Sequence, residues 1–258
     1  MHIPKTAGMT LQQLVRERYK LDDELFLVYD RETNHGGFVD KSSLKLIMGH
    51  FRYGYHKHSQ QPAEYFTFLR NPADHILSLF NYTKDFPDKY PNLPAEEAND
   101  LVAFAKGRWG NNLQTRFISG MDIIEGRENE TLEKAKENLR GFNFIGLTED
   151  FDTSLYMLGK QLGWKAFYYQ NSNEGMARKK TAQPDSAIMK EVLELNRFDV
   201  ELYEFAKELY EKQKAAISGL DQKVSRFKLE NNWFWRLNPA YTSLKNLLGL
   251  TQVSLMKK

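Results

Sequence analysis

Short apolar runs alternate with longer amphipathic segments along this chain, and no other feature of the sequence constrains the fold as strongly. The runs predict strands at residues 25–29, 44–51, 65–69 and 142–147. Segments with helical spacing lie at 9–19, 71–80, 95–106, 110–118, 131–140, 153–162, 184–197 and 199–217. Thr131 is the predicted N-terminal cap of the helix at 131–140. Strands separated by helices predict an α/β fold with a central, mostly parallel sheet flanked by helices.

Composition and charge exclude several classes of protein. The formal net charge is +2, whereas bulk binding to nucleic acid needs a dominantly basic surface. The chain has no cysteine, so it can form neither a disulfide framework nor a thiolate metal site. No apolar run approaches the roughly 20 residues of a membrane span, and the first ten residues lack the apolar centre of a signal peptide. We therefore predict a cytoplasmic protein with no nucleic-acid partner.

The C-terminal segment differs from the rest of the chain in its charge. Residues 223–258 carry seven Lys or Arg against one acidic residue, together with aromatic residues and leucines. We predict one domain over residues 1–222 and a basic amphipathic tail over 223–258 that docks on it. A tail of this composition could instead lie on an anionic membrane or pack against a partner.

The first of two informative turns is HIPKTAGMT at residues 2–10, which leads directly into a helix. Small residues at positions 6–8 let the backbone approach a ligand closely, and amides at a helix start attract anions. Lys5 adds a positive charge, and Thr6 and Thr10 add hydroxyl groups. This pattern predicts a phosphate cradle, although Lys5 precedes Gly8 and the segment therefore does not fit the Walker A pattern. An ordinary turn that caps a helix is the alternative.

The second turn follows the apolar run YFTFL, where Arg70 precedes Asn71-Pro72. Asn is a good N-cap and Pro suits the first helical position, so a helix starts here. An Arg at the carboxyl end of a strand points into the crevice where α/β folds bind ligands, and its planar fork suits phosphate. Ser78, two turns further on, could hydrogen-bond the same group. The alternative is an Arg70 paired with a carboxylate and a Ser78 that only packs.

Together the two turns resemble those of the PAPS-dependent sulfotransferases, where PAPS is 3′-phosphoadenosine-5′-phosphosulfate. The segment at 2–10 resembles the family's 5′-phosphosulfate loop, P-K-T-G-G-T-[ST], and RNPADHILS at 70–78 resembles its 3′-phosphate motif, R-[DN]-P-x-x-R-x-x-S. Segments 46–56, 111–120 and 144–151 resemble further family signatures in the same order. The resemblance covers about residues 1–215 and is to the carbohydrate sulfotransferase-like branch. The absence of cysteine fits a bacterial-type member.

This resemblance implies a three-layer, P-loop-like sulfotransferase fold and transfer of a sulfuryl group from PAPS to an acceptor hydroxyl. The favoured acceptor is a saccharide, with a small-molecule, lipid or polyketide alcohol as the alternative, and no metal is required. Lys5 would bind the oxygen that bridges phosphate and sulfate, and His50 would be the catalytic base. Without the motif around it, His50 would be an ordinary core histidine.

The resemblance also implies a set of nucleotide contacts. The cradle of the 5′-phosphate would comprise Thr6, Ala7, Gly8, Met9 and Thr10. The 3′-phosphate would be held by Arg70 and Ser78, and a late basic loop would add Arg178 and Lys179. His56, Gln114 and Arg116 lie in matching segments, but the resemblance assigns them no role.

Three positions depart from the family pattern: Ala7 replaces a glycine, Met9 a hydroxyl residue, and His75 an arginine that would help to bind the 3′-phosphate. These departures leave a non-catalytic nucleotide- or glycan-binding module as one alternative. A P-loop-like nucleotide kinase is another, but it would require a Walker lysine that the sequence lacks. The strand that precedes the loop in the family has no counterpart here, so we expect either a truncated chain or a different start to the sheet.

Overall fold

Four short strands form two parallel pairs in the computed structural model, which describes residues 1–28, 43–58, 62–170 and 184–238. The strands are β1 Leu25–Val28, β2 Leu46–Gly49, β3 Phe66–Leu69 and β4 Phe144–Leu147. Strand β1 pairs with β2 with Leu25 opposite Leu46, and β3 pairs with β4 with Phe66 opposite Phe144. The four predicted strands and their parallel direction are therefore confirmed, but within the described residues they form two pairs rather than the one central sheet that was predicted. The α/β class is confirmed as well.

The first two residues lie between the two strand pairs. The amino group of Met1 donates to the carbonyl oxygen of Phe66 in β3 at 3.0 Å. The next amide, that of His2, donates to the carbonyl oxygen of Gly49 in β2 at 2.8 Å. Burial lowers the pKa of the Met1 amino group to about 5. A short extended stretch thus links one strand pair to the other.

A cavity of about 470 Å³ lies beside this link, between β2 and β3. Residues 44–48 and 62–68 line two of its sides, and Met1 lines a third. Thr67 contributes a buried hydroxyl group that has no hydrogen-bond partner among the described residues. The cavity therefore lies along the facing edges of β2 and β3. Among the described residues, no strand lies between these two edges.

Helices surround the strands and make up most of the described chain. They are α1 Gly8–Arg16, α2 Pro72–Asp85, α3 Ala95–Asn99, α4 Leu101–Lys106, α5 Leu113–Ser119, α6 Glu128–Arg140, α7 Phe151–Gln161, α8 Ser186–Leu195, α9 Arg197–Ala215 and α10 Leu220–Leu237. The core that they enclose includes Ile3, Leu69, Phe104, Leu139 and Leu155, all of which have no exposed surface.

The start of α2 confirms the predicted helix signal. The side chain of Asn71 accepts a hydrogen bond from the amide of Ala73 at 3.0 Å, and Pro72 occupies the first helical position. One face of α2 then buries Ile76 and Leu79 in the core. The helix is therefore held firmly at the turn that follows β3.

Two of the differences between predicted and observed helix boundaries are explained by capping. The helix predicted at 95–106 is two helices, because Asp100 ends α3 and its carboxylate accepts a hydrogen bond from the amide of Ala103 to start α4. The predicted N-cap Thr131 lies inside α6, which begins three residues earlier at Glu128. Acidic residues in the first turn favour this earlier start, and the Thr131 hydroxyl donates instead to the carbonyl oxygen of Asp122.

Helix α10 runs across the predicted boundary at residue 222, and the division of the chain there stays a prediction. Its inner face buries Val224 and Phe227, and the Asn231 side chain hydrogen-bonds both the amide and the carbonyl oxygen of Tyr169. Its outer face exposes Leu229, Trp233 and Leu237. Within the described ranges, no helix has the length and hydropathy needed to cross a membrane.

Candidate functional site

The turn before α1 is built from strained backbone. Lys5 and Ala7 both have positive φ, 68° and 63°, a conformation that L-residues other than glycine adopt at a cost. Ala7 is the N-cap of α1 and has no side-chain oxygen with which to cap the helix. The side chain of the N-cap therefore engages none of the first amides of α1, which is the arrangement expected of the predicted phosphate cradle.

The hydroxyl of Thr6 forms a hydrogen bond within this turn. Thr6 is fully buried, and its Oγ1 donates to the carbonyl oxygen of Ile3 at 2.8 Å. Thr10, one turn along in α1, is also buried. The Thr6 side chain thus stabilises the turn, and the roles predicted for both threonines as nucleotide contacts stay predictions.

His2 and His50 lie against each other at the base of the turn. The carbonyl oxygen of His2 can only accept, so His50 donates to it through Nδ1, at 3.1 Å. The two imidazole rings are 4.8 Å apart and tilted by 34°. In neutral His50 the Nδ1 proton is held by this hydrogen bond, which leaves Nε2 as the basic nitrogen. The predicted base is thereby oriented by the backbone of the predicted phosphate loop.

His2 contacts both the loop and the predicted base, but it was not among the predicted site residues. Its ring lies directly over Gly8, where an added Cβ would be 1.7 Å from His2 Nε2. Its Nδ1 is 3.4 Å from the Thr6 hydroxyl oxygen. A signal was present in the sequence, because His2 opens the same HIPKT motif that contains Lys5.

The structure brings the two predicted turns together. The Nη1 atom of Arg70 donates to the carbonyl oxygen of Lys5 at 3.2 Å. The ammonium group of Lys5 lies 4.2 Å from the centre of the Tyr82 ring on α2, a cation–π contact. Two residues that are 65 positions apart in the chain therefore sit at one place, as the sequence predicts for a shared ligand site.

His75 also joins α2 to the first turn. Its Nε2 donates to the carbonyl oxygen of Pro4 at 2.8 Å. Burial, supported by the nearby charges of Arg70 and Lys5, lowers the pKa of His75 to about 4. His75 is thus a neutral side chain that stabilises the loop, not a charged side chain that binds a phosphate.

Ser78 lies on the same face of α2 as the residues that meet the first turn. It follows His75 by three positions and precedes Tyr82 by four, which places all three on one side of the helix. Its Oγ is buried and has no hydrogen-bond partner among the described residues. A buried hydroxyl without a partner costs about 1–3 kcal/mol, so a ligand oxygen at this position would be stabilising.

Arg116 and His56 make contacts within the protein. Arg116 is mostly buried, donates to the carbonyl oxygen of Arg108 at 2.5 Å, and binds Asp122 through Nε and Nη2. Arg52 also binds Asp122, at 2.7 Å, and is the main cause of the lowered pKa of that carboxyl group. His56 Nδ1 lies 2.7 Å from the Tyr65 hydroxyl oxygen. These contacts hold the segment after His50 to α5 and β3.

The remaining site predictions lie outside what the structure describes or concern metals. Arg178 and Lys179 fall in residues 171–183, outside the described residues. Within the described ranges, no group of three or more His, Asp or Glu side chains could hold a metal ion.

Comparison with known proteins finds no matching family model, but it finds curated relatives. Heparan-sulfate 6-O-sulfotransferase 1 of Homo sapiens is 28% identical over 198 residues, covering 63% of this chain and 47% of the relative. Heparan-sulfate 6-O-sulfotransferase 2 of Danio rerio is 32% identical over 113 residues, covering 39% of this chain and 23% of the relative. The chain therefore spans about half the length, or less, of these relatives. The similarity is distant and supports a sulfotransferase family.

Proposed function

We propose that this protein is a PAPS-dependent O-sulfotransferase of bacterial type, built on a three-layer, P-loop-like fold. The observation that carries the proposal is the hydrogen bond from Arg70 Nη1 to the carbonyl oxygen of Lys5. It joins the segment that resembles a 5′-phosphosulfate loop to the segment that resembles a 3′-phosphate motif. A nucleotide with phosphate groups at both positions would need the two segments side by side.

The residues present fit such a donor substrate. Lys5 and Arg70 supply two positive charges, and the start of α1 supplies amides that no side chain of its N-cap engages. The buried hydroxyl of Ser78 lies on the side of α2 whose His75 and Tyr82 contact the same turn, and a phosphate oxygen would give it a partner. PAPS would supply the sulfuryl group and a phosphate leaving group. Lys5 would neutralise the negative charge that develops on that leaving oxygen.

The proposed base is His50, acting through Nε2. Because its Nδ1 donates to the His2 carbonyl oxygen, Nε2 can accept the proton of an acceptor hydroxyl as that oxygen attacks sulfur. Both relatives described above are named for sulfation of a saccharide, heparan sulfate. We therefore propose a saccharide hydroxyl as the acceptor of this protein too.

Nucleotide selectivity tests this proposal against the kinase alternative. We expect 3′-phosphoadenosine-5′-phosphate to raise the melting temperature and ATP with magnesium to have little effect. The opposite result would refute the proposal in favour of a nucleotide kinase. Stabilisation by the bisphosphate without sulfotransfer from PAPS to any saccharide would favour a non-catalytic module.

Substitution of Arg70 tests the 3′-phosphate contact. We expect Arg70→Ala to weaken bisphosphate binding by about 1.5–3 kcal/mol, the usual range for a hydrogen bond to a charged group. Arg127→Ala is the control, because Arg127 is an exposed arginine that pairs with Glu130 on α6. Isothermal titration calorimetry measures both variants, and equal affinity in the two would contradict a ligand role for Arg70.

A further inference from the structure

Gln114, near the start of α5, is paired with the backbone of Arg70 through both ends of its side-chain amide. Its Oε1 accepts from the Arg70 amide at 2.9 Å, and its Nε2 donates to the Arg70 carbonyl oxygen at 2.9 Å. The side chain has no exposed surface. This is the pairing that a neighbouring strand would make, and it continues the hydrogen bonding of β3 one residue beyond Leu69.

Helix α5, which carries Gln114, is itself anchored by a buried carboxylate. Asp199 of α9 accepts from the amides of Gln114 and Thr115, at 3.2 and 2.7 Å, and from the Thr115 hydroxyl at 2.7 Å. In return, the Asn112 side-chain oxygen accepts from the amides of Phe198 and Asp199 at the start of α9, each at 3.1 Å. The two helices cap each other, so the Gln114 side chain extends from a rigid base.

The peptide units on either side of Arg70 are held as well. The Thr148 hydroxyl donates to the carbonyl oxygen of Leu69 at 2.7 Å. The amide of Asn71 donates to Glu149 at 2.7 Å. The backbone is thus fixed before, at and after Arg70, and Gln114 supplies both contacts at the residue itself. A side chain as long as arginine reaches a ligand accurately only when its own peptide unit does not move.

We propose that Gln114 is a positioning residue for recognition of the 3′-phosphate, acting through the backbone of Arg70. The inference rests on the proposed function and adds a cause for its nucleotide selectivity. The buried amide holds the arginine where its guanidinium group reaches both the Lys5 carbonyl oxygen and the 3′-phosphate. Without the Gln114 amide, the protein would keep its 5′-phosphate cradle but would no longer prefer a nucleotide that carries a 3′-phosphate.

The test compares two nucleotides, 3′-phosphoadenosine-5′-phosphate and adenosine 5′-monophosphate, by their dissociation constants. Gln114→Met keeps the volume and removes both hydrogen bonds, whereas Gln114→Glu keeps the acceptor and removes the donor. The matched control is Gln213→Met, because Gln213 also contacts a backbone amide, that of Ile145 at 3.4 Å, but in β4 and away from the turn. Melting temperatures show whether each variant is folded.

We expect the preference of the wild type for the bisphosphate to fall at least about tenfold in both Gln114 variants, the loss expected for one weakened charge-assisted contact. Affinity for adenosine 5′-monophosphate should be unchanged, and Gln213→Met should retain the full preference. If Gln114→Met does not fold, the nucleotide preference of Gln114→Glu tests the inference. A folded Gln114 variant with the wild-type preference would overturn the inference. If the wild type itself lacks the preference, the proposed function is refuted, and the inference with it.

Discussion

A backbone carbonyl oxygen determines which nitrogen of His50 is basic. The His2 carbonyl oxygen engages Nδ1, so a neutral His50 has its lone pair on Nε2. The residue that orients the proposed base thus belongs to the same turn as the proposed donor-binding Lys5. Orientation and donor binding depend on a single stretch of chain, and a small change in that stretch should affect both.

Substitution of His50 should separate chemistry from binding. We expect His50→Ala to reduce sulfotransfer by about 10²- to 10⁴-fold, the usual contribution of a general base. Affinity for 3′-phosphoadenosine-5′-phosphate should be unchanged, because His50 contacts the carbonyl oxygen and the ring of His2, whereas other residues are the proposed phosphate contacts. Single-turnover kinetics and calorimetry measure the two quantities. An equal loss of binding and turnover would make His50 a structural residue.

Gly8→Ala should act through His2. A methyl group at Gly8 would overlap the His2 ring, which can rotate away at small cost to stability because it is the end of a side chain. Displacement by about 1 Å near a reacting group costs about 10²-fold in rate, and we expect a loss of that size in turnover. In a His2→Ala background, Gly8→Ala should have no further effect. Equal losses in both backgrounds would show that the methyl group disturbs the ligand directly.

At the scale of elements, the mutual capping of α5 and α9 connects two helices whose first residues are more than 80 positions apart. Asn112 precedes α5 with positive φ, 43°, and its side chain caps α9, while Asp199 caps α5. Asn112 and Asn196 are the N-cap residues of α5 and α9, but neither side chain caps its own helix, and each helix is capped by a side chain associated with the other. Stability of the two helices is therefore coupled.

Two substitutions of Asn112 should differ in a defined order. Asn112→Ala loses the cap of α9 and places alanine in a left-handed conformation, so we expect a loss of about 2–3 kcal/mol. Asn112→Gly loses the same cap but accepts positive φ, so it should be less destabilising by about 1 kcal/mol. Urea denaturation measures both. A glycine variant no more stable than the alanine variant would show that backbone strain is absent.

Local sequence patterns predicted the strands and the start of α2. They did not predict contacts between residues that are far apart in the chain. Asn71 caps the helix that follows it directly, so the signal and its partner lie within one turn. Gln114 and Arg70 are 44 residues apart, and His75 and Pro4 are 71 apart, so no local pattern indicates either contact. The family resemblance predicted that the segments of Lys5 and Arg70 meet, and it marked His75 as a departure from the family pattern without predicting its contact with the loop. Its burial against Pro4 is a property of the assembled fold.

At the scale of the whole molecule, two buried groups oppose each other as pH changes. The pKa of His75 falls from 6.5 to about 4, so the unfolded chain binds more protons and stability rises with pH across that interval. Burial raises the pKa of Asp199 from 3.8 to about 6, so the folded chain binds more protons and stability falls as pH rises through that interval. Each effect amounts to about 3 kcal/mol, and the two largely cancel between pH 4 and 6.

Substitution of His75 should separate its contribution to the pH dependence of stability from that of Asp199. We expect the unfolding free energy of the wild type, minus that of His75→Gln, to increase by about 3 kcal/mol from pH 4 to 6.5 and to be constant above. Glutamine can still donate to the Pro4 carbonyl oxygen, so the difference reports the charge of the imidazole. Denaturant titrations at a series of pH values measure it. A difference independent of pH would mean that His75 is protonated with equal ease in both states.

The burial of Met1 between β2 and β3 has a practical consequence for handling this protein. Residues joined directly before Met1 would start beside the cavity between the two strands, whose lining is largely apolar, so a hydrophilic peptide would be poorly accommodated there. A hydrophilic affinity tag joined directly at this point would therefore place polar groups against apolar side chains.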